Sequence, residues 1–375
     1  MSYGQGQPGY GQGGHRPPPY HPDGPQGHRQ GRPQGHNQGG FGQGGHRPPP
    51  GPPPRQRKRR RPGRIVLVVL LVLLTIVGGL WIYGETSLNR TAALTEYEGR
   101  PAAGAGTNWL IVGSDSREDL SEDRQKELNT GAPEGRRTDT IMLLHIPDND
   151  TPPTLVSLLR DSYVPIPGKG RNKLNAAYAF GGPELLAKTV ETTTGLRMDH
   201  YIEIGLGGFA DLVDAVGGVE MCLKNPINDP LAGINLKAGC QELSGPDALG
   251  YVRTRVGPRA DLDRVIRQRE FISALTEKAT SFGTMINPFR VIPLVAAAPE
   301  AVTVDEGDHL HNLLPLALAM GSSDLVTTTV PMGGSERVQG VGSVIRWDRE
   351  KALRLFDALG TDAAVPADVI VKPPK

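Results

Sequence analysis

An uncharged apolar run, Ile65–Tyr83, constrains the fold of this chain more than any other feature of its sequence. It consists mostly of Val, Leu and Ile, and as a helix with a rise of ~1.5 Å per residue it is long enough to cross ~30 Å of hydrocarbon. Trp81 and Tyr83 stand at its far end, where interfacial aromatic residues belong. The run therefore predicts a transmembrane helix over 65–83, with very different sequence on its two sides.

The part before this helix, 1–64, predicts a disordered cytoplasmic tail that ends in a basic juxtamembrane block. Its first 54 residues are mainly Gly, Pro, Gln, His and Arg, and GQGGHRPPP occurs at 11–19 and again at 42–50. Such composition cannot bury a core. Arg55–Arg64 holds seven Lys/Arg, which places the N-terminus on the cytoplasmic side and favours contact with anionic membrane lipids. A cleaved signal peptide is disfavoured, because 64 residues precede the apolar segment 65–83 and no A-x-A cleavage site follows it.

The charges of the two parts have opposite sign. Residues 1–84 carry eleven Lys/Arg and one acid, so 85–375 carry 30 Lys/Arg and 39 Asp/Glu, a net charge of −9. Because neutralisation of phosphates supplies most nucleic-acid affinity, we expect no nucleic-acid partner for the acidic part. We expect a polar stalk over 84–105, one extracellular domain over 106–362 and a C-terminal tail over 363–375.

The two cysteines agree with an outer location. Cys222 and Cys240 are 18 residues apart in the acidic part. In an oxidising compartment such a pair is more readily bridged than free, so we expect a disulfide.

Alternating helix and strand patterns after residue 106 predict an α/β (α+β) sandwich with a single central mixed sheet flanked by helices. The short connection between strands 140–146 and 154–159 favours an antiparallel hairpin. If strand 108–113 runs parallel to the second of these, several Asp and Arg side chains reach one edge of the sheet. These are Asp115, Arg117, Arg137, Asp139, Arg160 and Asp161.

A second concentration of arginine lies in Tyr251–Arg269, YVRTRVGPRADLDRVIRQR. Its first half alternates like a strand, which predicts Arg253 and Arg255 on one face, ~6.6 Å apart. Its second half is helical in pattern, with Arg264, Arg267 and Gln268 on a shared face. This arrangement is suited to a polyanion such as a pair of phosphates, whereas the alternative is a solvated, salt-bridged surface. We expect Arg259 and Arg269 to face solvent.

The residue types favour phosphate chemistry over hydrolysis by a protein nucleophile. The acidic part lacks G-x-S-x-G, H-E-x-x-H and Walker motifs. Carboxylates without neighbouring His or Cys suit a hard ion such as Mg²⁺ or Mn²⁺. Arginine and Mg²⁺ together stabilise charge on a transferring phosphoryl group.

Seven segments, in this order along the chain, resemble the LytR–CpsA–Psr family of cell-envelope glycopolymer phosphotransferases. They are GSDSR at 113–117, RTDTIML at 137–143, SLLRDSYV at 157–164, KLNAAYAFGG at 173–182, DLVDAVGGVE at 211–220, ALGYVRTR at 248–255 and DLDRVIRQ at 261–268. Leu159 and Thr138 stand where the family often has proline and serine, and neither departure removes a charged group.

The resemblance implies transfer of a phosphate-linked glycopolymer from a polyprenyl-pyrophosphate carrier to a muramic acid hydroxyl of peptidoglycan, with polyprenyl phosphate leaving. It implies an apolar tunnel for the polyprenyl chain, which the helices at 174–190 and 206–216 would supply. The glycan itself stays open among teichoic-type polymers, arabinogalactan and capsular polysaccharide. The implied site residues are Asp115 and Asp139 for the metal; Arg137, Arg160, Arg253 and Arg255 for catalysis, with Asp261 as candidate base; and Arg117, Lys173, Asn175, Arg264, Arg267 and Gln268 for the pyrophosphate.

Three alternative functions depend on the same sequence features, namely the arginines and the membrane-spanning segment. A non-catalytic lipid-pyrophosphate binding protein and a lipid pyrophosphatase with water as acceptor would need the same arginines. A membrane-tethered transcription regulator is disfavoured, because only 1–64 would face the cytoplasm and this segment has no helix-turn-helix.

Overall fold

The structure is a computed structural model that describes residues 51, 62–115, 120–130, 138–257, 261–281, 297–299 and 301–371. The predictions for the tail before residue 62 therefore lie outside the described residues, apart from Gly51. The helices are α1 (Pro62–Ser87), α2 (Glu122–Glu127), α3 (Leu174–Thr194), α4 (Leu206–Ala215), α5 (Gly245–Arg253), α6 (Asp261–Thr280), α7 (Leu313–Met320) and α8 (Arg349–Gly360), with a 3-10 turn at Leu310–Asn312.

The strands of the described residues are short, from three to nine residues each. They are β1 (Asn89–Thr91), β2 (Thr107–Ser114), β3 (Thr138–Ile146), β4 (Thr154–Leu158), β5 (Tyr163–Ile166), β6 (Gly170–Lys173), β7 (His200–Ile204), β8 (Val219–Leu223), β9 (Ile227–Asp229), β10 (Ile234–Leu236), β11 (Gly239–Leu243), β12 (Val302–Asp305), β13 (Val326–Thr329), β14 (Met332–Val338) and β15 (Gly342–Trp347).

Seven strands form the central sheet, in the order β1-β12-β7-β2-β3-β4-β13. The pairs β2–β3, β3–β4 and β12–β7 are antiparallel, whereas β2–β7, β4–β13 and β1–β12 are parallel. The sheet is therefore mixed, as the sequence predicted. The predicted hairpin of β3 and β4 is present, and β2 runs in the same direction as β4.

The two faces of the sheet are covered by different helices, because successive strand residues point to opposite sides. Leu110 and Val112 of β2 pack in a buried cluster with residues of α3 and α8. Trp109 and Ile111 pack on the other side in a cluster that contains Leu316, Ala319 and Met320 of α7. The result is a helix–sheet–helix sandwich.

A third apolar cluster lies outside the central sheet. It joins α4 and α5 with the small β8–β11 and β9–β10 ribbons, and Phe271 of α6 is buried in it. Cys222 and Cys240 occupy directly opposite positions of β8 and β11 and are joined by a disulfide. The helix α6 thus connects this cluster to the edge of the central sheet.

The strand prediction for YVRTRV is wrong. Ser244 caps α5 by accepting a hydrogen bond from the Asp247 backbone N–H, and the helix continues to Arg253. Leu249, Tyr251 and Val252 are buried in the third cluster. Packing of this apolar helical face outweighs the local alternation, so Arg253 and Arg255 do not share a strand face.

The predicted stalk over 84–105 is part of the folded domain. Leu88 and Ala93 are buried, and Asn89–Thr91 pairs with β12 as an edge strand of the sheet. Arg100 lies in a buried ion pair with Glu191 of α3, with 3.0 Å between Nη2 and Oε1. In the predicted C-terminal tail, Val369 is fully buried and belongs to the cluster on the α3 side of the sheet.

The membrane-spanning candidate is longer than the predicted helix. Among the described residues, Gly63–Ser87 is long and apolar enough to cross a membrane. The end of α1, Ser87, lies two residues before the first residue of β1. Because β1 is antiparallel to β2, the first residue of β1 lies at the edge of the sheet where β2 and β4 end. The end of α1 therefore lies at that same edge.

Candidate functional site

The strand register brings acidic and basic residues to one edge of the sheet. Ser114, the last residue of β2, pairs with Thr138, the first residue of β3, and a register shift follows Gly113. Ile141 of β3 pairs with Leu158, the last residue of β4. Asp139 therefore lies beside both the end of β2 and the segment after β4 that carries Arg160.

Asp139 is held by three guanidinium groups. Its Oδ1 accepts from Arg160 Nη1 at 2.6 Å, its Oδ2 lies 3.3 Å from Arg264 Nη1, and Arg255 Nη2 is 3.8 Å from the same oxygen. Burial alone would raise the pKa of Asp139, but the arginines outweigh it and hold this pKa below its ordinary value. We call Asp139, Arg160, Arg255 and Arg264 the Asp139 cluster.

Arg160 is fixed from a second side by Asp161 and α3. Its Nε donates to Asp161 Oδ2 at 3.2 Å, and Asp161 Oδ1 lies 2.7 Å from Lys173 Nζ. The backbone N–H of Asn175, in the first turn of α3, donates to the Arg160 carbonyl at 3.0 Å. Asp161 thus orients an arginine, while Lys173 and Asn175 support the Arg160 loop.

Helix α6 places Arg264 and Gln268 one turn apart on the face that meets the sheet edge. Arg264 is only 4% exposed, and its partner Asp139 is on another element. Gln268 is buried too, and its Nε2 donates to the Val252 carbonyl at 3.3 Å. Both side chains line an apolar cleft, whereas Arg267, predicted on the same face, is not among the residues that line it.

Arg255 lies on a loop that is held by hydrogen bonds from Arg267 and to Asp229. Arg267 donates to the carbonyls of Thr254 and Val256, at 2.6 and 3.3 Å. The Thr254 hydroxyl donates to the buried carboxylate of Asp229 at 2.6 Å. The pKa of Asp229 is lowered, first by this hydrogen bond and also by backbone N–H groups that include that of Arg255. Arg267 therefore supports the loop that presents Arg255.

Arg253 is directed toward α2. Its guanidinium group donates to the carbonyls of Leu128 and Asn129, at 3.3 to 3.5 Å. Its predicted role at a pyrophosphate stays a prediction. The predicted site residues Arg117, Arg137 and the side chain of Asp261 lie outside the described residues, although the backbone of Asp261 begins α6.

Arg269 does not face solvent, so that prediction is wrong. It is 8% exposed, and burial lowers its pKa. Its Nη1 has no hydrogen-bond partner in the described part of the chain. The cause is that α6 contacts α5, β8 and α7, which leaves little of its circumference exposed.

An apolar cleft opens beside the Asp139 cluster. Its volume is about 240 Å³. Charged groups stand at one part of its wall, and the rest is mostly apolar. The lining residues are Asp139, Thr140, Ile141, Met142, Ser157, Leu158, Leu159, Arg160, Asp161, Arg264, Gln268, Met332 and Ile345. Cationic and apolar walls in one cleft suit an amphiphile with an anionic head.

Two of these lining residues come from a segment for which the sequence predicts no role at the site. Met332 and Ile345 belong to the β14–β15 hairpin. The pattern of β14, MGGSERV, has two glycines and no apolar alternation, so nothing in it predicts a strand. The predicted tunnel helices, 174–190 and 206–216, contribute no residue to the lining of this cleft.

Two carboxylates at the sheet edge are candidate ligands for the predicted Mg²⁺. Asp115 directly follows β2 and Asp139 lies near the start of the neighbouring strand β3, so two carboxylates come from adjoining strands. No group of three or more His, Cys, Asp or Glu that would hold a metal occurs among the described residues. Mg²⁺ commonly takes one or two carboxylates and completes its shell with water and substrate phosphates, so these residues fit it.

Comparison with known proteins agrees with this fold. A model of the LytR_cpsA_psr family matches residues 85–359. The probable cell wall biosynthesis protein LcpB of Corynebacterium glutamicum is 53% identical over 295 residues, which cover 78% of this chain and 69% of the relative. The polyisoprenyl-teichoic acid–peptidoglycan teichoic acid transferase TagU of Enterococcus faecalis is 32% identical over 238 residues, which cover 61% and 74%.

Solved structures share the fold at lower identity. The LytR-Csp2A-Psr enzyme from Actinomyces oris has a TM-score of 0.56 and 22% identity, over 73% of this chain and 96% of that chain. TagT bound to LI-WTA has a TM-score of 0.53 and 23% identity, over 71% and 92%. These structures share the fold, and the family match over 85–359 together with the curated relatives shows that the chain belongs to the LytR–CpsA–Psr family.

Proposed function

We propose that this protein transfers a phosphate-linked glycopolymer from a polyprenyl-pyrophosphate carrier to a hydroxyl of peptidoglycan, and so takes part in cell wall assembly. The observation that carries the proposal is the Asp139 cluster at the wall of an apolar cleft. A polyprenyl pyrophosphate has the matching chemistry, with a polyanionic head joined to a hydrocarbon chain. Relatives named as cell wall biosynthesis proteins and teichoic acid transferases support the same role.

Charge in the cluster favours an incoming pyrophosphate. Arg160, Arg255 and Arg264 lie at the carboxylate of Asp139, and Arg160 and Lys173 lie at that of Asp161. Several guanidinium and ammonium groups gathered at one place are suited to bind two neighbouring phosphates. Arg264 is almost fully buried, and a cation in low dielectric acts more strongly on a developing negative charge.

The reaction exchanges one phosphoester partner for another. The acceptor hydroxyl oxygen forms a bond to the glycan-linked phosphorus, and the bond from that phosphorus to the bridging oxygen of the pyrophosphate breaks. Polyprenyl phosphate leaves with the electron pair of the broken bond, while the hydroxyl proton passes to a base. Arg160, Arg255 and Arg264 hold the two phosphates and stabilise the charge that moves to the leaving group. Asp261, at the start of α6, is our candidate for the base.

Asp115 and Asp139 are the residues that would hold Mg²⁺ or Mn²⁺. Such an ion would supply further neutralisation of the phosphate oxygens. Binding of the ion or of the pyrophosphate would compete with the present contacts between Asp139 and the three arginines. The cluster therefore keeps its arginines positioned before substrate arrives.

We also propose that α1 crosses the cell membrane once, with the basic block on the cytoplasmic side and the folded domain outside. The seven Lys/Arg of Arg55–Arg64 support this orientation. The carrier lipid lies in the same membrane, and α1 ends at the sheet edge that carries the Asp139 cluster. At ~4.8 Å per strand, β1 and β2 are ~14 Å apart across the sheet.

The test is an in vitro transfer assay with full-length protein, peptidoglycan acceptor and a panel of lipid-linked donors that carry teichoic-type, arabinogalactan or capsular glycans. We expect glycan on peptidoglycan and polyprenyl phosphate in equal amounts with at least one donor. Tight donor binding without polyprenyl phosphate would instead support a carrier protein. Polyprenyl phosphate released equally well without acceptor would support a lipid pyrophosphatase.

A further inference from the structure

Helix α7 is apolar on two opposite sides. Leu316, Ala319 and Met320 are buried in the cluster under the sheet. Leu314 and Leu318, on the other side, are 60% and 59% exposed. The exposed residues His311, Leu314, Pro315 and Leu318 are spaced at i, i+3, i+4 and i+7, so they form one stripe on the turn and helix.

This outward stripe is unusual for a helix in contact with water. A surface helix normally carries charged and polar residues opposite its buried face, and a helix that is apolar all round is buried in protein or lipid. Residues 309–323, HLHNLLPLALAMGSS, contain no Asp, Glu, Lys or Arg. Insertion of Leu314, Pro315 and Leu318 into an apolar phase would therefore require no carboxylate, ammonium or guanidinium group to leave water.

The turn that precedes α7 forms hydrogen bonds with the end of α1. Glu85 accepts a hydrogen bond from the Leu310 backbone N–H at 3.0 Å, and its Oε1 lies 2.7 Å from Nδ1 of His309. Gly84 packs so closely that an added Cβ would lie 2.9 Å from Leu310 Cδ2. The side chain of Leu310 therefore packs directly against the α1 backbone at Gly84.

The connection from α1 to the domain leaves little freedom of orientation. Leu88 is buried, and Asn89 already pairs with β12. Contacts on both sides of Ser87 therefore fix the direction in which α1 leaves the domain. A membrane crossed by α1 would lie at a fixed position relative to α7.

Aromatic residues mark the depth at which α1 reaches water. Trp81 and Tyr83 are both exposed on α1, and such residues sit at the headgroup level. Glu85 is two residues beyond Tyr83, which is ~3 Å along a helix axis. The Glu85 contact therefore holds the start of α7 at about the depth of the lipid headgroups.

From these contacts we infer that the Leu314–Leu318 face of α7 inserts into the boundary between headgroups and acyl chains of the bilayer that α1 crosses. The occupant of this face is lipid, because the face adjoins the end of the membrane-spanning candidate and carries no Asp, Glu, Lys or Arg. The insertion makes α7 a second, interfacial anchor that fixes how the folded domain stands on the membrane. The inference rests on α1 spanning the bilayer and does not depend on the transferase activity.

The test uses photocrosslinking of the full-length chain in liposomes of phosphatidylcholine and phosphatidylglycerol. Benzoylphenylalanine is placed at position 318 in one variant and at position 353 in a matched control. Leu353 is 52% exposed on α8, which covers the opposite face of the sheet. Since a side chain held at the acyl boundary contacts lipid continuously, we expect about tenfold more lipid adduct at 318 than at 353.

Each outcome has a defined meaning. Lipid adducts concentrated at 318 support the inference. Adducts between two copies of the chain at 318 would show that this face mediates self-association. Equal amounts of lipid adduct at 318 and 353 would show that α7 does not insert into the bilayer. Either result would overturn the inference. Position 314 is a second labelling site on the same stripe, and it decides the matter if the variant at 318 does not give a folded protein by circular dichroism.

Discussion

Nη1 of Arg160 lies 2.6 Å from Oδ1 of Asp139, although 21 residues separate them in the chain. The antiparallel pairing of β3 and β4 creates this contact, because the start of one strand lies beside the end of the other. The ion pair holds an arginine at the wall of the apolar cleft. In the proposed reaction, a pyrophosphate replaces the carboxylate as the partner of this arginine.

Replacement of Arg160 by alanine should abolish most transfer. We expect Arg160→Ala to lower the transfer rate roughly 10²–10³-fold, by analogy with the loss of one preorganised charge-stabilising group. The assay is release of polyprenyl phosphate from a lipid-linked donor that the wild type uses. Arg171→Ala is the control, because Arg171 is an exposed arginine of β6 that does not line the cleft, and it should keep wild-type activity.

Asp229 should act as a positioning residue for Arg255. Asp229→Asn weakens the hydrogen bond from Thr254 to a buried carboxylate, so we expect a loss of about 1–3 kcal/mol in the free energy of unfolding. Because the loop that carries Arg255 is loosened, the KM for the lipid donor should rise more than kcat falls. Denaturant unfolding and steady-state kinetics measure the two effects.

The variant Asp214→Asn is a control that separates a loss of protein stability from a loss of Arg255 positioning. Asp214 accepts a hydrogen bond from the Gly245 backbone N–H at 2.7 Å, at the start of α5 and away from the Arg255 loop. This variant should lose stability without a change in the KM of the donor. An equal rise in KM for both variants would mean that Asp229 has only a structural role.

Much of the site edge follows from sequence because it depends on short connections. Seven residues separate β3 from β4, which fixes the hairpin and brings Asp139 to Arg160. The shared helical face of Arg264 and Gln268 also follows from their spacing. These are local relationships, and sequence patterns report them directly.

Other parts depend on tertiary packing and were not predicted. The alternation of YVRTRV indicates a strand, yet the buried face of α5 makes its first three residues helical. The contact of Arg267 with the Thr254 carbonyl joins α6 to the loop after α5, and no pattern in the sequence indicates it. Met332 reaches the cleft only because the β14–β15 hairpin folds against it.

The disulfide between Cys222 and Cys240 should stabilise the domain. In the chain-entropy model, closing a loop with a sequence separation of 18 contributes roughly 3 kcal/mol. We expect a decrease of this size in the free energy of unfolding of the Cys222→Ala/Cys240→Ala variant. Guanidinium unfolding of the full chain in detergent measures it, and added reductant should destabilise the wild type but not the variant. A wild type indifferent to reductant would contradict this expectation.

Buried tyrosines should make the fold sensitive to alkali. Burial raises the pKa of Tyr251 to about 12 from an ordinary value of 10.0. The folded state therefore keeps a proton that the unfolded state loses, so stability is complete below pH 10.0 and decreases as the pH rises toward about 12. Thermal unfolding as a function of pH measures this effect.

The variant Tyr251→Phe isolates the contribution of this tyrosine. It cannot ionise, so its stability should decrease less steeply with pH than that of the wild type over the same range. Tyr97, whose pKa is also raised to about 12, still titrates in this variant and accounts for part of the remaining slope. Identical slopes for wild type and Tyr251→Phe would show that burial of Tyr251 has no such consequence.

The central claim is that the Asp139 cluster carries phosphotransfer, and Asp139 itself tests it most directly. The measurement is the rate of polyprenyl phosphate release by full-length Asp139→Ala with lipid-pyrophosphate glycan, peptidoglycan and Mg²⁺. Asp211→Ala, which removes an exposed carboxylate that pairs with Arg124, is the matched control. We predict a loss of roughly 10²–10³ for Asp139→Ala and wild-type rates for Asp211→Ala. Full activity in Asp139→Ala would contradict the account.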